Sequence, residues 1–416
     1  MRPSTEWIST LVLLKFIGGI GLKNCFKFKT RNLLSIRAIG SIRKSGDHMN
    51  LELSEEQQLL TNMVERFTSD HYGYGKRAEY LSNSTGYSSS NWNIMAETGL
   101  LGISFSEAYG GLNVSAEDLI CIMQPIGKAV AVEPFLSCIV LAGEFLERAG
   151  TQDQKDHWIP KIIGGEANLA LAHSEAEARF DLGFVKTSAK KNGSKATLNG
   201  KKTFILGAGN ADGFIVSAIL EGKSSDEKTN IGFYLVDNEA AGLSVRKYKL
   251  IDGSIGCEIE LLNTPAEPMS GSFGDLLQTV SSTKIAACAE LIGLMDRLFD
   301  ETLDYVKTRQ QFGRPLSGFQ AIQHRLATAY ANLELSKSHL LRLAALNESD
   351  ENYEQMISGT KAYISKSARA LAEEAVQLHG GMGITDELII GHAMKRVILL
   401  STLFGDVDEE LRRYAA

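Results

Sequence analysis

Apolar and polar residues alternate with two different periods along the chain. From residue 54 to about 162, and again from about 273 to the end, apolar residues recur every three or four positions, which predicts amphipathic helices. Between residues 164 and 264 the helical period gives way to short apolar runs separated by Asn-Gly, Asp-Gly and Gly-Ala-Gly-Asn turns, a pattern typical of β-strands. The expected strands are 168–172, 195–198, 213–220, 231–236 and 243–248.

These periods predict an α+β fold of three domains. A helical N-terminal domain (49–162) precedes a small β domain of barrel or sandwich type (163–272), and a C-terminal helical domain resembling a four-helix bundle (273–416) follows. A chain of 416 residues exceeds the size of one hydrophobic core, which agrees with several domains. Ser54 and Gln57 have the spacing of a capping box, so the first helix is expected to begin there.

The longest predicted helix runs into a cluster of side-chain donors. Apolar residues follow the helical period up to Val306, and Gly313 is expected to stop the helix. The corner around Gly313 carries Arg309, Gln311 and Arg314. Such a corner suits a phosphate or pyrophosphate group. The alternative is an ordinary solvated helix end, where cations are favourable in any case.

Charge is distributed unevenly along the chain. The net charge is −7, but residues 1–48 hold nine Lys/Arg against two Asp/Glu, a net +7, so residues 49–416 carry −14. An acidic body argues against nucleic-acid binding. The apolar run within 1–48 is too short for a membrane span. This segment is either a presequence, which implies the mitochondrial matrix, or a mis-started extension ahead of Met49, which fits a bacterial cytoplasm.

Metal and disulfide chemistry are not indicated. The five cysteines are odd in number and far apart, with no C-x-x-C pair, and the histidines show no H-x-x-x-H spacing. We therefore expect no metal site.

Three motifs resemble those of the flavin-dependent acyl-CoA dehydrogenases. They are Arg309-Gln310-Gln311-Phe312-Gly313, Phe319-Gln320-Ala321-Ile322-Gln323 and Gln377-Leu378-His379-Gly380-Gly381-Met382-Gly383. The resemblance extends from about Met49 to the C-terminus, in the family's order of helices, β domain and helices. It implies FAD as cofactor, an acyl-CoA as substrate and electron-transfer flavoprotein as acceptor. In this family a carboxylate removes the α-proton while the β-hydrogen leaves as hydride to the flavin.

The resemblance implies two groups of flavin contacts. In the β domain, Ser174 matches a hydroxyl that contacts the flavin ring and Phe204 matches an aromatic residue that covers it. Leu206, however, replaces a hydroxyl residue, and small residues of the family are replaced by Glu177, Arg179 and Phe180.

The second group is better preserved. In such enzymes its residues reach across a subunit interface to the neighbouring flavin, which implies a homo- or hetero-oligomer arranged as a dimer of dimers. The matching residues are Arg309, Phe312, Gln377, Gly380 and Gly381. The alternative for the two glycines is a plain helix C-cap.

The usual catalytic base is missing. The resemblance places it at Phe404, and its alternative position in some members is Thr283. Two carboxylates remain as candidate displaced bases. Glu290 lies seven residues after Thr283 on the same helix face, and Asp406 is two residues past Phe404. Thr283 and the neighbouring Lys284 match substrate-binding positions, Lys284 one that touches CoA.

Three hypotheses follow. The first is one subunit of a hetero-oligomeric acyl-CoA dehydrogenase whose partner provides the base. The second is an autonomous homotetramer with a displaced base, and the third is a cofactor-free structural subunit. The acyl group is not predicted by the sequence.

Overall fold

The computed structural model describes residues 44–45, 48–49, 53–73, 75–223, 228–346 and 349–416. The segment interpreted as a presequence or mis-started extension, 1–48, lies almost entirely outside these ranges. Its described part pairs β1 (Lys44–Ser45) with β2 (His48–Met49). None of the described helices is long and apolar enough to cross a membrane.

The N-terminal part consists of helices, as predicted. They are α1 (Glu55–His71), α2 (Lys76–Ser82), α3 (Ser89–Glu97), α4 (Ala116–Ala129), a π-helical segment (Leu136–Gly143), α5 (Glu144–Ala149) and α6 (Gln152–Ile163). The predicted capping box is present, since Ser54 and Gln57 exchange side-chain and backbone hydrogen bonds of 3.1 and 3.2 Å. Because π-helices are rare and often lie at functional sites, Leu136–Gly143 marks a region of interest.

A closed five-stranded barrel forms the middle of the chain. The strands are β3 (Leu169–Ala172), β4 (Ser188–Asn192), β5 (Lys195–Ile205), β6 (Gly213–Leu220), β7 (Ile231–Asp237), β8 (Leu243–Lys249) and β9 (Ile255–Pro268). The barrel closes in the order β4-β5-β9-β7-β6, while β3 joins β6 in parallel and β8 joins β9 antiparallel. Its apolar interior is separate from the core of the helices.

One predicted turn is a bulge instead. The turn residues Asn199-Gly200 predict that a strand ends at Leu198, but β5 continues to Ile205 with a register shift between Leu198 and Gly200. Gly200 has φ +153°, and a Cβ there would lie 2.8 Å from Cα of Thr187. Glycine at a bulge allows this close approach of two strands.

The C-terminal part is a helical bundle followed by one short helix. Its elements are α7 (Phe273–Thr308), a hairpin of β10 (Gln310–Gln311) and β11 (Arg314–Pro315), α8 (Gln320–Ala344), α9 (Tyr353–His379), α10 (Ile389–Thr402) and α11 (Val407–Ala415). The long helix α7 also packs against α4, so it joins the cores of the first and third parts.

Two glycines allow α4 and α7 to cross closely. A Cβ on Gly293 of α7 would collide with the carbonyl oxygen of Gln124, and one on Gly127 of α4 would collide with that of Glu290. Neither helix can move away without opening the core around it.

Replacing Gly293 with alanine is therefore expected to lower the free energy of unfolding by about 1–3 kcal/mol, since overpacking outweighs the gain in helix propensity. Urea unfolding measures this difference. Gly274→Ala in the first turn of α7 is the matched control, because the nearest atom to its Cβ would be Ser272 Oγ at 3.4 Å. Equal midpoints for the two variants would contradict the close crossing.

Candidate functional site

A large cavity lies between the barrel and the C-terminal helices. Its volume is about 710 Å³. One wall is the loop 178–183 that follows β3, and the other is formed by α7, α9 and α11. Both signs of charge line it: Arg179, Asp181, Lys228, Lys284, Glu354, Asp406, Glu409, Arg412 and Arg413. A groove of this size and polarity suits a large ligand with several polar groups.

Ser174 lies at the end of β3, beside this loop. It is half-buried, and its carbonyl oxygen accepts a hydrogen bond of 2.9 Å from the Thr203 amide. This bond ties the end of β3 to β5. One residue further along β5, Phe204 is 39% exposed with φ +52°, and its amide donates to Tyr248 Oη at 3.2 Å. The structure thus brings Ser174 and Phe204 together at one edge of the barrel.

A buried hydrogen-bond network lies behind these two residues. Lys202 is fully buried, and its Nζ donates to Glu175 Oε1 at 2.8 Å, Ser217 Oγ at 2.9 Å and the His173 carbonyl at 3.1 Å. Burial lowers the pKa of Lys202 to about 8, with Glu175 opposing the shift. This network could not be predicted from the sequence, because its members come from three separate segments.

His173 is neutral and its tautomer follows from its partners. Burial, helped by the Lys202 charge, lowers the pKa of His173 to about 3. Nε2 lies 3.0 Å from the Leu182 carbonyl, which only accepts, so Nε2 carries the hydrogen. Nδ1 then accepts from Ser217 Oγ at 2.9 Å. The network therefore also anchors the cavity loop through Leu182.

One residue of the cavity loop has an unusual backbone conformation. Arg179, one of the bulky residues found where small ones were expected, has φ +51° in the left-handed region. Phe180 lines the cavity, and its carbonyl oxygen accepts from Arg413 Nη2 at 2.8 Å. This bond links the loop to α11.

The second predicted group lies at the far end of α7. Tyr305 stacks on His379 at a ring-centroid distance of 4.2 Å, and this contact holds the C-terminal ends of α7 and α9 side by side. Arg309, Phe312, Gln377, Gly380 and Gly381 are all exposed there, Phe312 to 88%. A Cβ on Gly380 or Gly381 would meet nothing within 4 Å, so the backbone faces open space.

Within one chain, the large cavity and the second group lie far apart along α7. Lys284 of α7 lines the cavity beside the barrel loop, whereas Arg309 lies 25 residues further along, roughly 37 Å at 1.5 Å per helical residue.

A well-anchored turn lies at Phe404, the position that the resemblance assigns to the usual base. Phe404 has φ +58°, and its carbonyl oxygen accepts from Arg413 Nη1 at 2.7 Å. The Gly405 carbonyl accepts from the fully buried Lys361 at 2.5 Å. At the alternative position, Thr283 is buried and donates to the Thr279 carbonyl at 2.8 Å.

The two candidate carboxylates have different surroundings. Glu290 is buried and makes bonds of 2.6 and 3.0 Å to Arg396, and it lines neither described cavity. Asp406 lines the large cavity and caps α11, accepting from the Glu409 amide at 2.9 Å. Of the two, only Asp406 faces space that a substrate can enter.

Lys284 lines the large cavity but is already paired. It is buried and lies 2.9 Å from Glu410, which is also fully buried. Burial lowers the pKa of Lys284, with Glu410 opposing the shift.

A second, smaller cavity of about 40 Å³ lies beside Leu206 and Gly207. It includes Glu133, a buried carboxylate that accepts hydrogen bonds from Tyr72 Oη and from Asn91 Nδ2. Burial raises the pKa of Glu133. Sequence analysis missed this residue, since a lone Glu near a helix end gives no signal of burial.

The residues present fit FAD in part. The exposed ring of Phe204, the Ser174 hydroxyl and the open backbone at Gly380 and Gly381 suit a flat ring and a pyrophosphate. Leu206 offers no hydrogen bond, which weakens the barrel side of the site. Among the described residues, no group of three or more His, Cys, Asp or Glu is arranged to hold a metal ion.

Comparisons with known proteins agree with this arrangement. Residues 54–166, 170–263 and 273–415 match the N-terminal, middle and C-terminal domains of acyl-CoA dehydrogenase. The 3-(aryl)acrylate reductase of Clostridium sporogenes is 32% identical over 75% of this chain and 85% of its own length. Subunit CarC of the caffeyl-CoA reductase-Etf complex of Acetobacterium woodii is 30% identical over 70% of this chain and 80% of its own.

Solved structures share the fold. A variant of the Tcur3481-Tcur3483 steroid ACAD superposes with a TM-score of 0.78 at 25% identity, covering 87% of this chain and 97% of that one. The three matched domains and the two relatives together establish that this chain belongs to the acyl-CoA dehydrogenase family of FAD-dependent oxidoreductases.

Proposed function

We propose that the chain is one subunit of a hetero-oligomeric acyl-CoA dehydrogenase, and that it completes a flavin site whose catalytic carboxylate belongs to a partner chain. The observation that carries this proposal is the turn at Phe404. Where the family places its base, this chain has an aromatic residue whose backbone is held by Arg413 and Lys361.

The distance along α7 between the large cavity and Arg309 supports an assembly. FAD, when bound, supplies the hydride acceptor. Arg309 offers a fixed positive charge and Gln377 an amide to the partner's cofactor, while Gly380 and Gly381 allow close backbone approach. Phe312, 88% exposed in one chain, would be covered by the partner subunit. The related steroid ACAD is itself named after two proteins.

The neighbouring cavity suits the remainder of an acyl-CoA substrate. Its volume of about 710 Å³ and its lining of both charges fit a long ligand carrying phosphates and amides. Lys284, Arg412 and Arg413 are the cations on its α7 and α11 walls. Electron-transfer flavoprotein is the proposed acceptor, supported by the relative named as a subunit of an Etf complex.

A second candidate is an autonomous enzyme in which Asp406 acts as a displaced base. It is favoured by the position of Asp406 on the cavity wall. Glu290 is a weaker candidate for the same role, because Arg396 neutralises both of its oxygens. The reaction also admits the opposite direction, favoured by the two relatives named as reductases.

The visible absorption spectrum of the purified chain tests the proposal. We expect a colourless protein when it is expressed alone, and bound flavin when it is co-expressed with a dehydrogenase encoded beside its gene. Adding acyl-CoAs to the complex should bleach the flavin absorption, and adding enoyl-CoAs to the reduced complex should restore the absorption of oxidised flavin. The proposal would be overturned if the chain expressed alone binds flavin and acyl-CoAs bleach it. Loss of that bleaching in Asp406→Asn would then identify Asp406 as the base.

A further inference from the structure

The network around Lys202 lies immediately behind the residues that face the proposed flavin. Lys202 is fully buried, whereas the adjacent Lys201 has a side chain that is 70% exposed and pairs with Glu260 on the barrel surface. A buried ammonium requires several partners to offset its lost hydration. Lys202 has three, and two of them belong to the residues on either side of Ser174.

These contacts hold the backbone at Ser174 and at the residues on either side of it. Lys202 binds the carbonyl of His173 and the carboxylate of Glu175, while the next residue, Thr203, donates its amide to the carbonyl of Ser174 at 2.9 Å. Three consecutive residues at the end of β3 are therefore attached to two consecutive residues of β5. The strand β5 then carries Phe204 to the same edge.

The network extends to the wall of the large cavity. Glu175 also accepts from the amides of Lys186 and Thr187 at 2.8 and 3.0 Å, so it anchors the chain after the loop. Ser217, held by Lys202, donates to His173, which donates to the Leu182 carbonyl within the loop. The ammonium thus fixes both ends of the 176–186 segment.

We propose that Lys202 is a positioning residue: it sets the conformation of Ser174 and of the cavity loop, and through them the barrel side of the flavin site. This inference rests on the proposed binding of FAD. Lys202 does not itself reach the cavity or the exposed edge. Its role is to hold the polar backbone around Ser174, which faces the proposed cofactor, in a single conformation.

The test separates positioning from stability. Lys202→Met leaves Glu175 buried without its cation, so it should both unfold more easily and expose the β3–β5 contacts. Lys202→Met/Glu175→Leu removes both charges, and replacing a buried pair by apolar groups is often neutral for stability. The double variant should therefore be more stable than Lys202→Met without regaining the fixed Ser174. Lys201→Met is the matched control.

Two readouts decide the outcome. In the flavin-free chain, hydrogen exchange at the Thr203 amide, which donates to the Ser174 carbonyl, should be at least tenfold faster in both Lys202 variants and unchanged in Lys201→Met. In the flavin-binding complex, the dissociation constant for FAD should rise at least tenfold in the double variant. Wild-type exchange rates in a stable double variant would overturn the inference.

Failure of the proposed function would give different results from failure of the inference about Lys202. If the wild-type chain and its complexes bind no FAD, the proposal of a flavin site fails, while the exchange rates still decide whether Lys202 fixes Ser174. If exchange accelerates but FAD affinity is that of the wild type, Lys202 is structural only, and the positioning role is rejected.

Discussion

Replacing Arg396 with methionine is expected to lower the free energy of unfolding by about 3–5 kcal/mol. Arg396 of α10 donates to Glu290 of α7 and, at 2.9 Å, to Asp252 of the β8–β9 loop. Both carboxylates are buried, with 1% and 3% of their surface exposed. Removing the guanidinium leaves two buried negative charges without their common partner. Chemical denaturation of the purified chain measures the loss.

The size of this effect follows from where the cluster lies. Asp252 comes from the barrel, while its backbone carbonyl accepts from Arg77 of α2 at 3.1 Å. Arg77 also donates to the Val130 carbonyl and lies 2.9 Å from His392. All three parts of the chain therefore meet at one charged junction. Loss of Arg396 should therefore weaken the contacts among the three parts of the chain as well as the ion pair with Glu290.

Lys395→Met is the matched control for this prediction. Lys395 pairs with Asp386 at 3.0 Å, but the two side chains are 43% and 80% exposed, so the pair is worth less than about 1 kcal/mol. A double-mutant cycle with Glu290→Gln isolates the contact between Arg396 and Glu290. A coupling near zero, or equal effects of Lys395→Met and Arg396→Met, would show that the junction is hydrated and that Glu290 is free for another role.

The sequence predicted the features that depend on local pattern. The order of helices, strands and helices, the capping box at Ser54 and the strand 213–220 could all be predicted from periodicity and turn residues. Strands β4 and β9 were not among the expected ones. Both mix charged residues with a few buried ones, as in Ser188–Asn192, where only Ala189 is buried. Strands with exposed faces of this kind carry little hydrophobic signal.

The candidate site was predicted less completely for a physical reason. Glu290 was placed on the same helix face as Thr283, and both are buried, but its partner Arg396 lies 106 residues away in sequence. The same holds for Lys202 and Glu175, which are 27 residues apart. Charge pairing across domains has no local pattern, so a buried carboxylate could not be distinguished from a catalytic one until the fold brought its partner beside it.

Replacing Arg309 with methionine is expected to raise the dissociation constant for FAD of the assembled complex by about 10- to 100-fold. A hydrogen bond to a charged group is worth about 1.5–3 kcal/mol, which corresponds to that range. Arg309 caps α7 with its backbone, and Leu316 donates to its carbonyl at 2.9 Å. Among the residues that the structure describes, none pairs with its guanidinium, so this charge is available to a ligand held by a partner chain. Fluorescence titration of released flavin measures the change.

Arg325→Met is the matched control, because Arg325 is an exposed arginine of α8 whose guanidinium already pairs with Glu374 at 2.5 Å. Sedimentation of both variants shows whether the complex stays intact. An intact complex with weakened flavin binding means that Arg309 contributes directly to the partner's site. An intact complex with unchanged flavin affinity instead excludes Arg309 from the cofactor site and favours a structural subunit. Dissociation of the complex in Arg309→Met would move the role of Arg309 from the flavin to the subunit interface, and the cross-subunit site would then depend on Gln377 and the glycines at the end of α9.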